Sequence, residues 1–309
     1  MQDIDVVIVG AGVAGLTAAM VAGRHGVKVA VVDRMGVGGQ ISTAERIENF
    51  PGFPRGIAGH ELGPLLHEQA EAAGAEFMLD TIESISPEGG RFQLRGADTL
   101  QARAVIVAAG SAPRLLGIPG EEPFLGKGVS HCASCDGPFF KGEEVVVVGG
   151  GDSGLDEALV LAGYAARVTV GDRGASLRAQ QSIVVRALAD HRVAILLDTV
   201  VEEIVGGEVV SGVRLRDQKS GEARLKPVKG VFVHVGLEPN TTFVRGLVAL
   251  DAAGHIETDA MMRTSRSGLF AAGDIRKGSV ALVAAVAGDG ATAAVAAVRY
   301  LQMGARPDR

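Results

Sequence analysis

The chain has 309 residues, 47% hydrophobic and 21% charged, a balance that excludes a disordered polymer and provides material for one large core or two ordinary domains. With 30 Lys and Arg against 36 Asp and Glu, the formal net charge is −6, and there are only ten Phe, two Tyr and no Trp. Nothing pulls such a chain towards a phosphate backbone or offers stacking surfaces for bases, so no nucleic-acid partner is expected.

In chain order, Met1-Gln2-Asp3-Ile4-Asp5 carries two acids and no basic segment, which is neither a secretory nor a transit peptide, and a cytoplasmic protein is expected. Ile4 to Val9 is a β-branched run suited to a buried parallel strand. Gly10, Gly12 and Gly15 then open a helix, and the following strand ends on Asp33. A further apolar strand, Ala104 to Ala109, stops at Gly110, and Pro113 and Pro119 mark a crossing into another domain. Glu143 to Asp172 repeats the opening order of strand, glycine turn, helix and strand, with Gly149, Gly151 and Gly154 in the same relative positions. Asp33 lies eighteen residues after Gly15, and Asp172 eighteen after Gly154. After a strand from Gly230 to Val235, a second break at Gly236-Leu237-Glu238-Pro239-Asn240 leads to a late strand ending in Ala271-Ala272-Gly273-Asp274. One domain is therefore inserted in another. Val280 to Val298 is weakly polar but holds Asp289, so it reads as a buried helix and not a membrane span.

The repeated pattern has a physical reason. The first glycine makes the tight turn, the second lets the backbone approach a pyrophosphate, and the third lets helix and strand pack closely, with the helix N-terminus facing the phosphates. One G-x-G-x-x-G is weak; two in strand-turn-helix context, each followed by its acid, imply two dinucleotide sites.

The only cysteines are Cys132 and Cys135. A disulfide across so short a loop restrains little of the unfolded chain, and with His131 beside the pair a metal site still lacks a ligand, so no metal is expected. A C-x-x-C pair at a turn or helix start lowers one thiol pKa and permits exchange with a second disulfide. Asp136 follows immediately, placed either to pass protons or to cap a helix.

Taken with Gly38-Gly39-Gln40, Ile47-Glu48-Asn49-Phe50-Pro51-Gly52, Gly128 to Gly137 and Phe270 to Asp274, these motifs make the sequence resemble the low-molecular-weight thioredoxin reductases over almost its whole length. The resemblance implies an α/β fold of two Rossmann-like three-layer domains. An FAD-binding domain would comprise residues 1–113 and 241–309, and an inserted domain, 114–240, would carry the cysteines and the second nucleotide site. It implies that Gly10, Gly12, Gly15, Gly39 and Gly273 surround FAD, that Asp33 reads its adenosine ribose, that Gln40 and Asn49 lie along the flavin, and that Asp274 holds the ribityl chain. Gly149, Gly151, Asp152, Ser153 and Gly154 would form the second site. Cys135 would be the flavin-side thiol, Cys132 the one that attacks the partner disulfide, and Asp136 the acid-base group. A thioredoxin-like partner and a homodimer are implied in the same way.

Two departures stand out. Where the family has a His-Arg-Arg run for the 2′-phosphate of NADPH, the matching residues are Gly171-Asp172-Arg173. A carboxylate accepts hydrogen bonds from a free ribose diol but opposes a dianionic phosphate, so NADH is favoured over NADPH, although Arg173 and Arg178 remain. NADH shares its adenosine-ribose-pyrophosphate portion with FAD, so a second FAD also satisfies the motif. Where the family has Arg-Gln ahead of Ala-Gly-Asp-Gly, the chain has Ala281-Leu282. These departures keep open a flavoenzyme that oxidises dithiols without nicotinamide. An NADH-using peroxiredoxin reductase would carry an extra N-terminal domain, and a non-enzymatic nucleotide sensor would leave Cys132 and Cys135 idle.

Overall fold

A computed structural model describes residues 4–304; Met1 to Asp3, part of the N-terminal reading, lie outside them. The chain divides into two compact units, Met1–Ala112 with Glu238–Arg309, and Pro113–Leu237. Against the expected limits of 113/114 and 240/241, both divisions fall earlier, the first after Ala112 and the second after Leu237, within the short strand Leu237–Pro239.

The first unit opens with β1 (Ile4–Val9), α1 (Val13–Arg24) and β2 (Val29–Asp33). Helix α2 (Gly59–Ala72) and β3 (Glu76–Leu79) follow, then β4 (Ser84–Glu88), β5 (Arg91–Arg95), β6 (Thr99–Val107) and the outgoing β7 (Ser111–Pro113). The inserted unit runs through β8 (Val129–Ser130), α3 (Ala133–Asp136), β9 (Glu144–Val148), α4 (Asp152–Ala162), β10 (Arg167–Gly171), α5 (Gln181–Ala189) and β11 (Val193–Leu196). An antiparallel trio, β12 (Thr199–Gly206), β13 (Val210–Asp217) and β14 (Ala223–Pro227), precedes β15 (Gly230–Val233). The chain returns through β16 (Leu237–Pro239) to β17 (Leu269–Ala271) and the long α6 (Val283–Gln302).

In the first unit the sheet order is β3-β2-β1-β6-β5-β4, with β17 also paired to β6. The β1, β2, β3, β6 and β17 pairings are parallel, and β4-β5-β6 are antiparallel. The apolar run of β1 supplies both faces: Val6 and Ile8 pack with α1 and α6, while Val7 and Val9 pack with Phe92, Leu94 and Val244. Each such fully buried aliphatic side chain contributes roughly 1.5–3 kcal/mol of transfer free energy. Helices α1 and α6 meet through small residues, so closely that a Cβ on Gly290 would lie 2.1 Å from the Ala14 carbonyl oxygen.

The inserted unit has a five-stranded parallel sheet, β11-β10-β9-β15-β8. Val145 and Val147 face α4 through Leu155 and Leu161, and Val146 and Val148 face the antiparallel trio through Val213 and Leu215. Sheet, helices and antiparallel trio make three layers.

Three expected elements differ at their ends. The strand expected over 104–109 is β6, which begins earlier, at Thr99, and stops at Val107. The helix expected from Val280 begins at Val283, because Ala281 has φ of 50° and Leu282 is the extended N-cap. The strand expected to Val235 ends at Val233, where the chain turns through His234. Among the described residues, no helix is long and apolar enough to cross a membrane.

Candidate functional site: two glycine turns and a cysteine pair

The two glycine turns are built alike. Gly10 has φ of 111° and a Cβ there would lie 2.3 Å from the Ala108 carbonyl oxygen; Gly149 has φ of 119° and its Cβ would lie 2.1 Å from that of His234. The third glycines close against the first: a Cβ on Gly15 would meet the Gly10 oxygen at 1.8 Å, and one on Gly154 the Gly149 oxygen at 1.9 Å. The middle glycines, Gly12 and Gly151, differ in kind. Their φ angles are −75° and −86°, open to any residue, and no protein atom lies within 4 Å of an added Cβ. Neither sterics nor conformation within the protein demands glycine there, whereas a pyrophosphate lying against the turn does. The turn at Gly12 therefore fits FAD, and the turn at Gly151 fits a second dinucleotide.

The acid of each unit braces its own turn. Asp33 Oδ2 accepts the Ala11 N–H at 2.7 Å while Oδ1 accepts from Met35 and Gly36. Asp172 Oδ2 accepts the Gly150 N–H and Oδ1 the Gly174 N–H, both at 2.6 Å. Only 2% of Asp172 is exposed, so its negative charge lies inside the loop. Exposed Arg178 brings its Nη2 to 3.6 Å from Oδ2, and Arg173 is also exposed. At the start of α4, Asp152 binds the Gln180 backbone N–H and side-chain amide, and Ser153 is exposed.

Around the first turn, Gly38 donates its N–H to Ala11, and Gly39 approaches so closely that its Cβ would lie 3.1 Å from the Gly12 Cα. Gln40 Nε2 donates to the Ser111 carbonyl at 2.9 Å, and Gly273 packs against Ala14. Asp274 Oδ1 accepts the Ser279 hydroxyl at 2.8 Å. Asn49 is exposed.

Cys132 and Cys135 form a disulfide within a turn of helix. Cys132 is the N-cap, and its Sγ accepts the Cys135 N–H at 3.2 Å, a contact that favours negative charge on that sulfur once the bond is open. Cys135 is exposed and Cys132 partly buried. Asp136 precedes the 3-10 turn Gly137–Phe140 but makes no side-chain cap bond. It lines a cavity of about 390 Å³ together with Lys127, Ser130, Phe139, Phe140 and Lys229. Phe139 at its edge is 80% exposed. Among the described residues, no group of three or more His, Cys, Asp or Glu could hold a metal.

Three polar arrangements escaped sequence reasoning. Glu157 of α4 accepts the Ala133 N–H at the head of the cysteine turn. His234 lies beside it, its side chain 10% exposed and its Nε2 3.9 Å from Glu157 Oε2. Asp289, 6% exposed in α6, takes two bonds from Arg276, at 2.5 and 2.8 Å, and one from the Gly273 N–H. A lone acid in an alanine-rich helix signalled the last of these, but not its partner.

A family model for pyridine nucleotide-disulphide oxidoreductases matches residues 4–291. Thioredoxin reductase of Treponema pallidum is 42% identical over 300 residues, covering 97% of each chain, and that of Mycolicibacterium smegmatis is 42% identical over 299, covering 96% of each. The crystal structure of Lactococcus lactis thioredoxin reductase in its FR conformation superposes with a TM-score of 0.95 at 39% identity, covering 97% of this chain and 100% of that one. The fold and its paired nucleotide turns thus define a flavin-dependent disulfide oxidoreductase that uses FAD and a pyridine nucleotide. Within that class, the chain belongs to the low-molecular-weight thioredoxin reductase family.

Proposed function

We propose that the protein passes two electrons from NADH, through FAD, to the Cys132–Cys135 disulfide and on to the disulfide of a thioredoxin-like protein. The observation that carries this reading is a C-x-x-C disulfide tied by Glu157 to the helix of the second glycine turn. FAD, when bound, supplies two-electron transfer between nicotinamide and disulfide; Gly10, Gly12, Gly15, Asp33, Gly39, Gln40, Asn49, Gly273 and Asp274 are its proposed contacts. Gly149, Gly151, Asp152, Ser153, Gly154, Asp172 and Arg173 are those of the nicotinamide nucleotide. Cys135 exchanges electrons with the flavin, and Cys132, whose sulfur already receives an N–H, attacks the partner disulfide. Asp136, free of a capping bond, moves the proton between solvent and the departing thiol. The cavity beside it, edged by exposed Phe139 and flanked by Lys127 and Lys229, suits an apolar side chain with an acidic neighbour on the partner.

The preference for NADH follows from the charge of Asp172 inside the donor loop, which opposes a 2′-phosphate, with exposed Arg173 and Arg178 at the same loop to attract one. A homodimer acting in the cytoplasm is proposed from the family resemblance, and sedimentation velocity tests the assembly. The deciding experiment for the donor is anaerobic mixing with NADH or NADPH while following the oxidised-flavin absorption band. Faster bleaching by NADH is expected. Faster bleaching by NADPH refutes the Asp172 argument, and bleaching by neither replaces the scheme with dithiol oxidation through FAD, the second site then serving no nicotinamide.

A further inference from the structure

Behind the cysteine pair lie Glu157 and His234, neither of which has a place in the electron and proton path proposed above. Glu157 Oε2 accepts the Ala133 N–H, one residue from Cys132. The His234 Nε2 lies 3.9 Å from the same carboxylate oxygen, its side chain only 10% exposed, and it has no hydrogen-bond partner. Burial, aided by the charge of neighbouring His131, pushes the His234 pKa down to about 4, so the ring is neutral at pH 7 while the disulfide is closed. A nearly buried nitrogen without a partner pays a desolvation penalty that no hydrogen bond offsets.

His131 Nδ1 meets the Val233 carbonyl at 3.0 Å, the Ser134 hydroxyl lies 3.6 Å from Cys132 Sγ, and Asp136 stands at the turn's end. The following 3-10 turn brings no charged side chain, and the Tyr164 ring packs at Gly137. Glu157 is thus the carboxylate bonded to the head of the turn, and His234 the basic group beside that carboxylate.

We propose that Glu157 and His234 are positioning residues that together set the acidity of Cys132. Opening the disulfide with two electrons, supplied by the enzyme's own flavin chemistry, and one proton leaves one thiol and one thiolate. A thiolate on Cys132 carries the same charge as the Glu157 carboxylate, which is bonded one residue away at the Ala133 N–H, and this raises the thiol pKa; uptake of a further proton from solvent at His234 Nε2 converts that imidazole to a cation beside Glu157 and relieves the repulsion. The chemistry is a coupled titration of carboxylate, imidazole and thiol. It rests on reading Cys132–Cys135 as the redox pair.

The test reads Cys132 alone. In a Cys135→Ser background it is the sole cysteine of the chain, and the pH dependence of its alkylation by iodoacetamide reports its thiolate fraction. Glu157→Gln is expected to lower the midpoint by about one pH unit, a tenfold gain in thiolate on the acid side, and Glu157→Asp to leave it near the parent value. His234→Gln is expected to raise it by about half a unit. A Glu157→Gln midpoint that coincides with the parent overturns the proposal and leaves Glu157 a structural support for the turn. Should that variant not fold, an unmoved midpoint in His234→Gln overturns it equally. Failure of the underlying reading is separately visible, as disulfide reductase turnover surviving in Cys132→Ser of the otherwise unaltered enzyme.

Discussion

Replacement of Gly151 by alanine isolates what the second turn holds from what the protein needs to fold. At φ −86° and ψ −176° the backbone accepts alanine, and no protein atom lies within 4 Å of the new methyl. Loss of a glycine N-cap costs up to about 1 kcal/mol, and the reduced freedom of the unfolded chain returns about 0.4–1 kcal/mol, so the melting temperature should move by no more than about 2 °C. The methyl nevertheless projects where a pyrophosphate would meet the turn. Losing one charge-assisted hydrogen bond, about 1.5–3 kcal/mol, raises the Kd for NADH roughly 10- to 150-fold. Gly154→Ala is the contrasting variant. Its Cβ would lie 1.9 Å from the Gly149 oxygen, far inside the 3.0 Å floor of real Cβ contacts, and the shift it forces costs about 1–3 kcal/mol or more. Stopped-flow bleaching of the flavin across NADH concentrations reads the first effect, and thermal unfolding reads the second. If Gly151→Ala binds NADH within twofold of the parent, or melts as early as Gly154→Ala, the middle glycine does not face a nucleotide.

Three further outcomes are expected. Asp172→Asn keeps the shape of the loop and removes its charge, so the ratio of kcat/KM for NADPH to that for NADH should rise about tenfold, or about 1.4 kcal/mol; an unchanged ratio shows that the buried carboxylate does not sense the 2′-phosphate. His234 has its pKa lowered from 6.5 to about 4 by burial, so the unfolded chain binds its proton first as pH falls. Stability therefore drops from pH 6.5 towards 4, by about 3 kcal/mol in all, and denaturant titrations at pH 7 and 4.5 should show most of that loss in the parent but not in His234→Gln. Asp289→Ala strands Arg276 and should cost about 3 kcal/mol, lowering the FAD-saturated melting temperature by roughly 6–12 °C, whereas Arg276→Met combined with Asp289→Leu should recover most of it.

The sequence makes legible whatever is local. The β1 strand was readable to the residue because its run must fill both faces of a parallel sheet, and the glycine turns were readable because strand, turn, helix and acid lie within about thirty residues. Interactions between distant segments were not. Glu157 meets Ala133 across 24 positions and Arg276 meets Asp289 across thirteen, and only the packing of α4 under the cysteine turn, or of α6 beside Gly273, brings them together. Ala281 shows a different limit: an apolar residue of high helix propensity takes φ of 50° and delays α6, against its intrinsic preference. The alternation along β13 offered a period-two signal for the antiparallel trio, which the stronger parallel pattern around it obscured.

Because the first unit is discontinuous, its synthesis and its folding are out of step. The inserted unit has all of its strands once the ribosome has passed Val233, and it can close its core while still tethered. The first unit at that moment lacks β17, which pairs with β6, and α6, whose Gly290 nests on α1. Translation of roughly 70 more residues, about 3–14 s at ordinary elongation rates, separates the two events. Through that interval the apolar face of α1 awaits its cover, so nascent chains should engage holdase chaperones there and release them as α6 emerges.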